Sequence, residues 1–133
     1  MVRPGGQLAI TTWGPRVFEP GSTAWWTAVK THAPALHSSY VPWERITTTE
    51  ALWDLLNEAG VPKADVSAEP GQQSLRRPED WWTIVLGSGY RWTVDQMDEE
   101  TARKVRDDCL RQVREQQVST VETNVIYAVA RKS

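Results

Sequence analysis

The pattern of apolar and polar positions along this chain predicts three β-strands. Residues 7–13 are short, apolar and β-branched and end at a Gly-Pro turn, and a weaker strand follows around residues 64–68. Residues 119–130 predict a longer strand, in which every position from Val125 to Ala130 is apolar or aromatic. A strand that is apolar on both faces is typical of the interior of a sheet that is covered above and below.

A helix is predicted between the first two strands, over residues 47–60. Thr47 and Glu50 have the spacing of a capping box, in which each side chain bonds a backbone N–H near the other residue. Leucines then recur at helical spacing, and Gly60 stands where a left-handed C-terminal cap is expected. This segment has both end signals of a helix and an apolar face.

Three further helices are predicted from the residues at their ends. Serine, threonine and aspartate are favoured at helix N-caps, and proline is favoured in the first turn. The last and longest of the three is amphipathic, and its apolar stripe includes the single cysteine, which is expected to pack as a small hydrophobic residue. The helices are expected to run from Ser22 or Thr23 to about Lys30, from Pro78 to Gly87, and onward from a cap at Asp98.

The order strand, helix, strand, helices, strand is typical of an α/β fold. A helical crossover makes the first two strands parallel, and the apolar last strand is expected to insert between them, central and antiparallel, with helices flanking the sheet. The expected strand order is therefore first, third, second. The first strand, Leu8–Trp13, then keeps one edge that must pair with missing sequence, a second copy of the chain or another partner.

One partial domain is expected over residues 1–133. A long, sparsely charged loop in a compact domain is often a lid or a pocket wall, and residues 15–46 have this composition. The expected parts are a turn and strand (1–14), a cap or insertion (15–46), a helix and strand (47–70), a helical segment (71–117) and the central antiparallel strand (118–133).

Composition and charge argue against several classes of function. The 133 residues carry 15 basic and 17 acidic side chains, a formal net charge of −2, which is not typical of a nucleic-acid-binding surface. No apolar run approaches the ~18 residues of a membrane helix. The single Cys109 excludes a disulfide framework and suits the cytoplasm, and with only two histidines no protein-bound transition metal is expected.

Several segments resemble one enzyme family. Residues 2–10, Val-Arg-Pro-Gly-Gly-Gln-Leu-Ala-Ile, resemble the "LRPGG" turn and fifth strand of class I S-adenosylmethionine-dependent methyltransferases, especially the ubiquinone/menaquinone-type small-molecule group. The helix of residues 47–60 resembles the helix between that family's fifth and sixth strands. Residues 78–91 and 122–132 are similar to the C-terminal part of many bacterial members. The resemblance covers essentially the whole chain, but only the second half of the family's domain.

This resemblance implies the C-terminal half of a Rossmann-like methyltransferase fold, in which the seventh strand inserts antiparallel between the fifth and sixth. It implies S-adenosyl-L-methionine as cofactor, although the family's glycine-rich loop, acidic ribose-binding residue and fourth strand have no counterpart in this sequence. We therefore assign no cofactor-binding residue and expect the chain alone to be inactive. Its expected role is the acceptor-binding portion of a methyltransferase for a small hydrophobic or aromatic molecule.

The resemblance also implies an acceptor pocket beyond the ends of the fourth and fifth strands, under a cap inserted after the fifth. Eight tryptophans suit either a lined cavity or ordinary core packing, and a charge-poor aromatic wall favours a flat or hydrophobic acceptor. No catalytic residue is assigned, because His32 and His37 are each either a base or a solvent-facing loop residue. The candidate substrate-binding residues are Trp13, Trp25, Trp26, His32, Trp43 and Trp82, and Tyr40 lies in the same segment.

Two other functions stay open. The first alternative is a stand-alone, non-catalytic ligand-binding or homodimeric assembly module. The second is one half of an enzyme that is assembled from two polypeptides. In each case we expect the strand Leu8–Trp13 to pair with a second copy, by edge pairing or strand exchange, or with a missing N-terminal half. Neither nucleic acid nor a membrane is an expected partner.

Overall fold

The computed structural model describes residues 2–38 and 41–132 and confirms the α/β class. The helices, in chain order, are α1 (Gly21–His32), α2 (Thr49–Glu58), α3 (Glu79–Gly87), α4 (Arg91–Val94) and α5 (Glu99–Glu115). The strands are β1 (Gln7–Trp13), β2 (Ala64–Glu69), β3 (Gln72–Ser74), β4 (Thr120–Glu122) and β5 (Val125–Arg131). Two 3-10 turns cover Pro34–Leu36 and Pro42–Ile46. No helix in these described ranges is both long and apolar enough to cross a membrane.

The chain divides into two compact units, each built from separate stretches of sequence. Unit 1 comprises Met1–Val17, Tyr40–Gln72 and Glu122–Ser133, and unit 2 comprises Phe18–Ser39 and Gln73–Val121. Unit 1 holds the larger sheet and α2, whereas the other four helices belong to unit 2. The sequence analysis expects the whole chain to form one partial domain, and this expectation stays a prediction.

The sheet of unit 1 has the strand order β1-β5-β2, with β5 antiparallel to both neighbours. Gln7 lies opposite Arg131 and Trp13 opposite Val125, while on the other side Ala64 lies opposite Ala130. The order first, third, second is therefore confirmed, as is the central antiparallel position of the last strand. The residues that the structure describes form five strands rather than the expected three, because two short strands, β3 and β4, form a second sheet.

The larger sheet is covered on one face only. Burial alternates along β5: Ile126, Ala128 and Ala130 are buried, whereas Tyr127 and Val129 are 38% and 42% exposed. The buried residues pack against Leu52 and Leu56 of α2. The expectation of cover on both faces is wrong, because α2 is the one α-helix among the described residues of this unit and shields one side of the pleat.

The predicted strand over residues 119–130 is two strands. β4 pairs with β3, and β5 begins three residues after β4 ends. Between them, Asn124 bonds neighbouring loops: its side-chain N–H donates to the carbonyl of Pro15, and its side-chain oxygen accepts from the N–H of Gly71. These side-chain bonds hold the turn between β4 and β5, and uniform β-propensity gives no signal for such a break.

The predicted cap of α2 is displaced by one residue. The side chain of Thr48, not Thr47, accepts a hydrogen bond from the N–H of Ala51 at 3.2 Å. The Thr47 hydroxyl instead donates to the carbonyl of Glu44 in the preceding 3-10 turn. The expected C-terminal cap is confirmed, since Gly60 has a φ of +80°.

Of the predicted N-caps of α1 and α5, the first is wrong and the second is confirmed. Neither Ser22 nor Thr23 caps α1. The helix begins at Gly21, and the Glu19 carboxylate accepts hydrogen bonds from the backbone N–H and hydroxyl of Thr23. A carboxylate at this end is favourable because the helix dipole is positive there. Asp98 caps α5 as predicted and accepts from the N–H of Thr101 at 2.7 Å.

We expect Thr48→Ala to lower the free energy of unfolding by about 1 kcal/mol, the usual cost of removing an N-cap side chain. Thr47→Ala is the matched comparison and should cost less, because its hydroxyl bonds a turn carbonyl rather than a helix N–H. Urea denaturation of both variants measures the difference. A larger loss for Thr47→Ala would place the cap where the sequence pattern put it.

Candidate functional site

The core of unit 2 contains a cluster of aromatic rings around Trp25. Trp25 is fully buried, and its ring centroid lies 5.5 Å from that of Tyr90, 6.0 Å from Trp82 and 6.1 Å from Trp26. The Tyr90 hydroxyl lies 2.8 Å from the Ser22 hydroxyl, and burial raises the pKa of Tyr90 despite this bond. The phenol therefore stays neutral at physiological pH. We call Trp25, Trp26, Trp82 and Tyr90 the aromatic cluster.

The indole N–H of Trp25 is buried and has no hydrogen-bond acceptor among the described residues. Leaving a buried donor unsatisfied costs about 1–3 kcal/mol. Ring packing on three sides must offset this cost. The aromatic cluster is therefore held together by its apolar contacts and not by this polar atom.

A second buried tryptophan is anchored by the cysteine. The indole N–H of Trp81 donates to Sγ of Cys109 at 3.1 Å, and both residues are fully buried. Burial raises the pKa of the Cys109 thiol to about 11, so the thiol is protonated at neutral pH. The expectation that Cys109 packs as a small hydrophobic residue is confirmed, because a buried neutral thiol is a poor nucleophile.

His32, a candidate from the sequence, is held by a carboxylate 76 positions away in the chain. Its Nε2 lies 3.1 Å from Oδ2 of Asp108, which joins the C-terminal end of α1 to α5. An ionised carboxylate only accepts hydrogen bonds, so Nε2 is the donor and Nδ1 is the basic nitrogen of the neutral ring. A carboxylate-oriented imidazole is the usual arrangement of a general base.

The Asp108 carboxylate is itself held in the ionised form. Burial favours its neutral form, but hydrogen bonds from Arg111, His32 and Gln112 outweigh this effect and lower the pKa of Asp108 below its ordinary 3.8. Its side chain is 13% exposed. A negative charge is therefore maintained beside His32 at neutral pH.

An open depression of about 620 Å³ lies on unit 2 between α3 and α5. Its apolar wall includes Trp82, so one side of the aromatic cluster reaches the surface here. Its rim is charged, with two acidic and two basic residues from α5. The lining residues are Trp82, Leu86, Val94, Glu99, Glu100, Ala102, Arg103 and Arg106, and we call this feature the α3–α5 groove.

The structure brings together three of the six candidate substrate-binding residues. Trp25, Trp26 and Trp82 form the aromatic cluster, and His32 lies in the same unit. Trp13 at the end of β1 and Trp43 in a 3-10 turn belong to unit 1 and are 40% and 45% exposed. A shared pocket for all six stays a prediction. Tyr40 lies outside the described residues.

Three residues that bear on these sites were not predicted. Asp108 stands among alternating charges on α5, Tyr90 follows a Gly-Ser-Gly turn, and Asn124 stands inside an apparently continuous strand. Each acts through a partner more than 50 positions distant, namely His32, Ser22 and Gly71. The one local signal was Asn124, since a short amide side chain is disfavoured in a central strand and favoured in turns.

The described residues do not fit the cofactor that the resemblance implies. A methionine or nucleotide group needs free backbone N–H groups in a glycine-rich turn between a strand and a helix. In the turn from β1 to α1, the N–H of Gly14 donates to the Asn124 carbonyl and that of Ser22 to the Phe18 carbonyl. The Glu19 carboxylate occupies the first turn of α1. Over residues 2–38 and 41–132, no group of three or more His, Cys, Asp or Glu side chains is placed to hold a metal ion.

Comparison with known proteins gives no family. No protein-family model and no curated protein matches this chain.

We expect Gly21→Ala to destabilise the protein by about 1–3 kcal/mol, the usual cost of overpacking. A Cβ at this buried position would lie 2.8 Å from the ring of Trp81, which Cys109 holds in place. Gly87→Ala is the control, because no atom lies within 4 Å of its Cβ position and α3 gains a better helix former. Thermal unfolding should show a lower melting temperature for Gly21→Ala alone.

Asp108→Asn should lower the free energy of unfolding at pH 7 by about 1–3 kcal/mol, because it removes charged hydrogen bonds to His32 and Arg111. A lowered pKa stabilises the folded state above the ordinary value of 3.8, and this contribution is lost as pH falls through the lower folded-state pKa. The difference in the free energy of unfolding between the variant and the wild type should therefore become smaller below pH 4. Asp107→Asn, at the exposed neighbouring position, is the control; equal losses for both variants would contradict the assignment.

Proposed function

We propose that this chain is the acceptor-binding, C-terminal portion of an S-adenosylmethionine-dependent methyltransferase that acts on a small hydrophobic or aromatic molecule. The cofactor-binding elements are supplied by another polypeptide segment, since the described residues do not fit S-adenosylmethionine. The chain alone is inactive. When bound by that other segment, the cofactor provides the methyl group.

The strand order carries this proposal. β5 comes last in the sequence yet lies between β1 and β2 and runs antiparallel to both. The methyltransferase resemblance implies this arrangement for its fifth, seventh and sixth strands. The helix α2 supports the same correspondence, because it lies between β1 and β2 in the chain and packs on their sheet.

The uncovered face of the sheet also supports an incomplete fold. In a Rossmann-like fold, helices cover both faces of the sheet. Here Tyr127 and Val129 lie on the face away from α2, with Thr11 and Ala9 opposite them in the register. A second layer on this face would bury the apolar surface of Tyr127 and Val129, which lie between Thr11 and Ala9 on one side and Ser67 and Asp65 on the other.

The outer side of β1 is the proposed attachment edge. Gly14 N–H donates to the Asn124 carbonyl, and Lys132 N–H donates to the Gly6 carbonyl. In an antiparallel ladder, hydrogen-bonded residue pairs alternate with non-bonded pairs. Gly6 and Gly14 belong to bonded pairs, so the even-numbered residues of β1 bond β5, and the backbone N–H groups of Ala9 and Thr11 point away from β5. No strand pairs with this side in the described part of the chain.

We propose that a strand of the cofactor-binding half pairs with this edge. Without that half, Leu8–Trp13 pairs with a second copy or exchanges strands, because an uncharged edge strand is a template for pairing. The strand length suits this role, since all seven residues of β1 are paired with β5 and held extended.

Unit 2 supplies the proposed acceptor side. The aromatic cluster offers flat apolar surface through Trp82, and His32 has a basic nitrogen held in orientation by Asp108. An acceptor whose hydroxyl ionises readily would need only such a base and good alignment, which supplies most of the acceleration in a displacement reaction. We assign His32 as the base in this proposal.

The test mixes the full chain with a separately expressed N-terminal half of a menaquinone-type methyltransferase that ends after its fourth strand. We expect a one-to-one complex by size-exclusion chromatography with light scattering. Thr11→Pro should abolish it, because proline removes an outward N–H while leaving the β5 ladder intact. Ala68→Pro is the control, since by the same alternation its N–H points away from β5 at the opposite edge.

Two outcomes would contradict this proposal. If no complex forms, or if Thr11→Pro binds as well as the wild type, β1 is not the attachment edge. If the chain associates with itself but forms no complex with the cofactor half, the stand-alone module is favoured instead. Equilibrium dialysis with tritiated S-adenosylmethionine should detect no binding to the chain alone.

A further inference from the structure

The α3–α5 groove presents an apolar floor with charges separated along one helix. Ala102 and the exposed Leu86 contribute small and large apolar surface. Glu99, Ala102, Arg103 and Arg106 recur at helical spacing, so all four face the groove from one side of α5. The acidic residue lies at the N-terminal end of this stripe, and the basic residues lie one to two turns further along.

Three of the four charges that line the groove lack a close ion-pair partner. The fourth, Glu100, pairs with Lys104 at 2.8 Å, and Arg114, further along α5, pairs with Glu79 at 3.4 Å. In contrast, neither Glu99 nor Arg103 has an ion pair within the described ranges. Arg106 has only the adjacent Asp107 at 4.0 Å.

We propose that the α3–α5 groove is the interface of a twofold homodimer, in which α5 of one copy lies antiparallel on α5 of the other. A twofold axis between Ala102 and Arg103 places Glu99 opposite Arg106 of the second copy, because each lies about one turn from the axis. The symmetry makes this contact twice. Ala102 at the axis allows close approach of the two helices.

The charge pattern favours a second copy over a small anionic ligand. Two acidic and two basic residues line the rim, so the groove carries no net charge that would attract an anion. The stripe on α5 is acidic at one end and basic at the other. The same stripe on a second copy that runs in the opposite direction is therefore complementary to it in charge. A second copy also covers Leu86 and Trp82, whose apolar surface is otherwise in water.

Because it covers Trp82, the dimer excludes an acceptor from the surface proposed above, so the dimer is the acceptor-free form. The interface is separate from the β1 edge. The experiment therefore uses Thr11→Pro as the background, which removes edge pairing. Sedimentation equilibrium of this protein should show a monomer–dimer equilibrium. Glu99→Arg and Arg106→Glu should each weaken the dimer by roughly tenfold or more, because each places two like-charge pairs in the interface.

The decisive sample is an equimolar mixture of the Glu99→Arg and Arg106→Glu proteins. Both contacts across the axis become attractive in the mixed dimer, so it should form with near-original affinity, as should the protein with both substitutions. Asp107→Arg, a charge reversal on the same helix at an exposed position outside the groove lining, should change nothing. Circular dichroism confirms that each variant is folded.

A monomer at all concentrations would overturn the proposal and leave the groove to a small ligand or another protein. A dimer that single charge reversals do not weaken would also overturn it. So would two weakened variants that fail to associate when mixed, since they would show that Glu99 and Arg106 do not meet across the axis.

Discussion

The pairing of β5 with strands from two distant parts of the chain determines the fold of unit 1. β1 and β2 do not pair with each other in the sheet, and the strand pairing of each is with β5. The same strand supplies Ile126 and Ala128, against which α2 packs. Backbone hydrogen bonding and apolar burial therefore depend on one seven-residue segment, and removing it would leave two unpaired strands and an uncovered helix.

Unit 2 depends on a different constraint, the close packing of large rings against small groups. Trp81 fits because Gly21 has no side chain and because Cys109 accepts its N–H. Trp25 fits because it is surrounded by other rings. The hydrogen bond between His32 and Asp108 adds a polar contact between α1 and α5 beside this core. The proposed acceptor surface and the proposed dimer surface both lie on this scaffold.

The sequence predicted those features that depend on local pattern. The bounds of β1, the cap at Asp98 and the cap at Gly60 follow from apolar runs and favoured end residues. The central position of β5 followed from its uniform apolar character, although that same character wrongly implied cover on both faces.

Features that depend on tertiary contacts could not be predicted from single positions. The break before β5 arises because Asn124 bonds Gly71 and Pro15, and the carboxylate that orients His32 comes from the far end of the chain. The shift of the cap from Thr47 to Thr48 arises because the preceding turn binds the first hydroxyl. Likewise, aromatic residues predicted a lined cavity, but sequence spacing does not tell which rings meet.

The late position of β5 has a consequence for synthesis on the ribosome. Val121 ends the last stretch of unit 2, so all residues of that unit are translated before those of β5. β1 and β2 must wait as unpaired segments until β5 emerges. During that interval their exposed edges are open to chaperones and to neighbouring nascent chains, and a premature stop codon before Val125 would leave unit 1 unable to form its sheet.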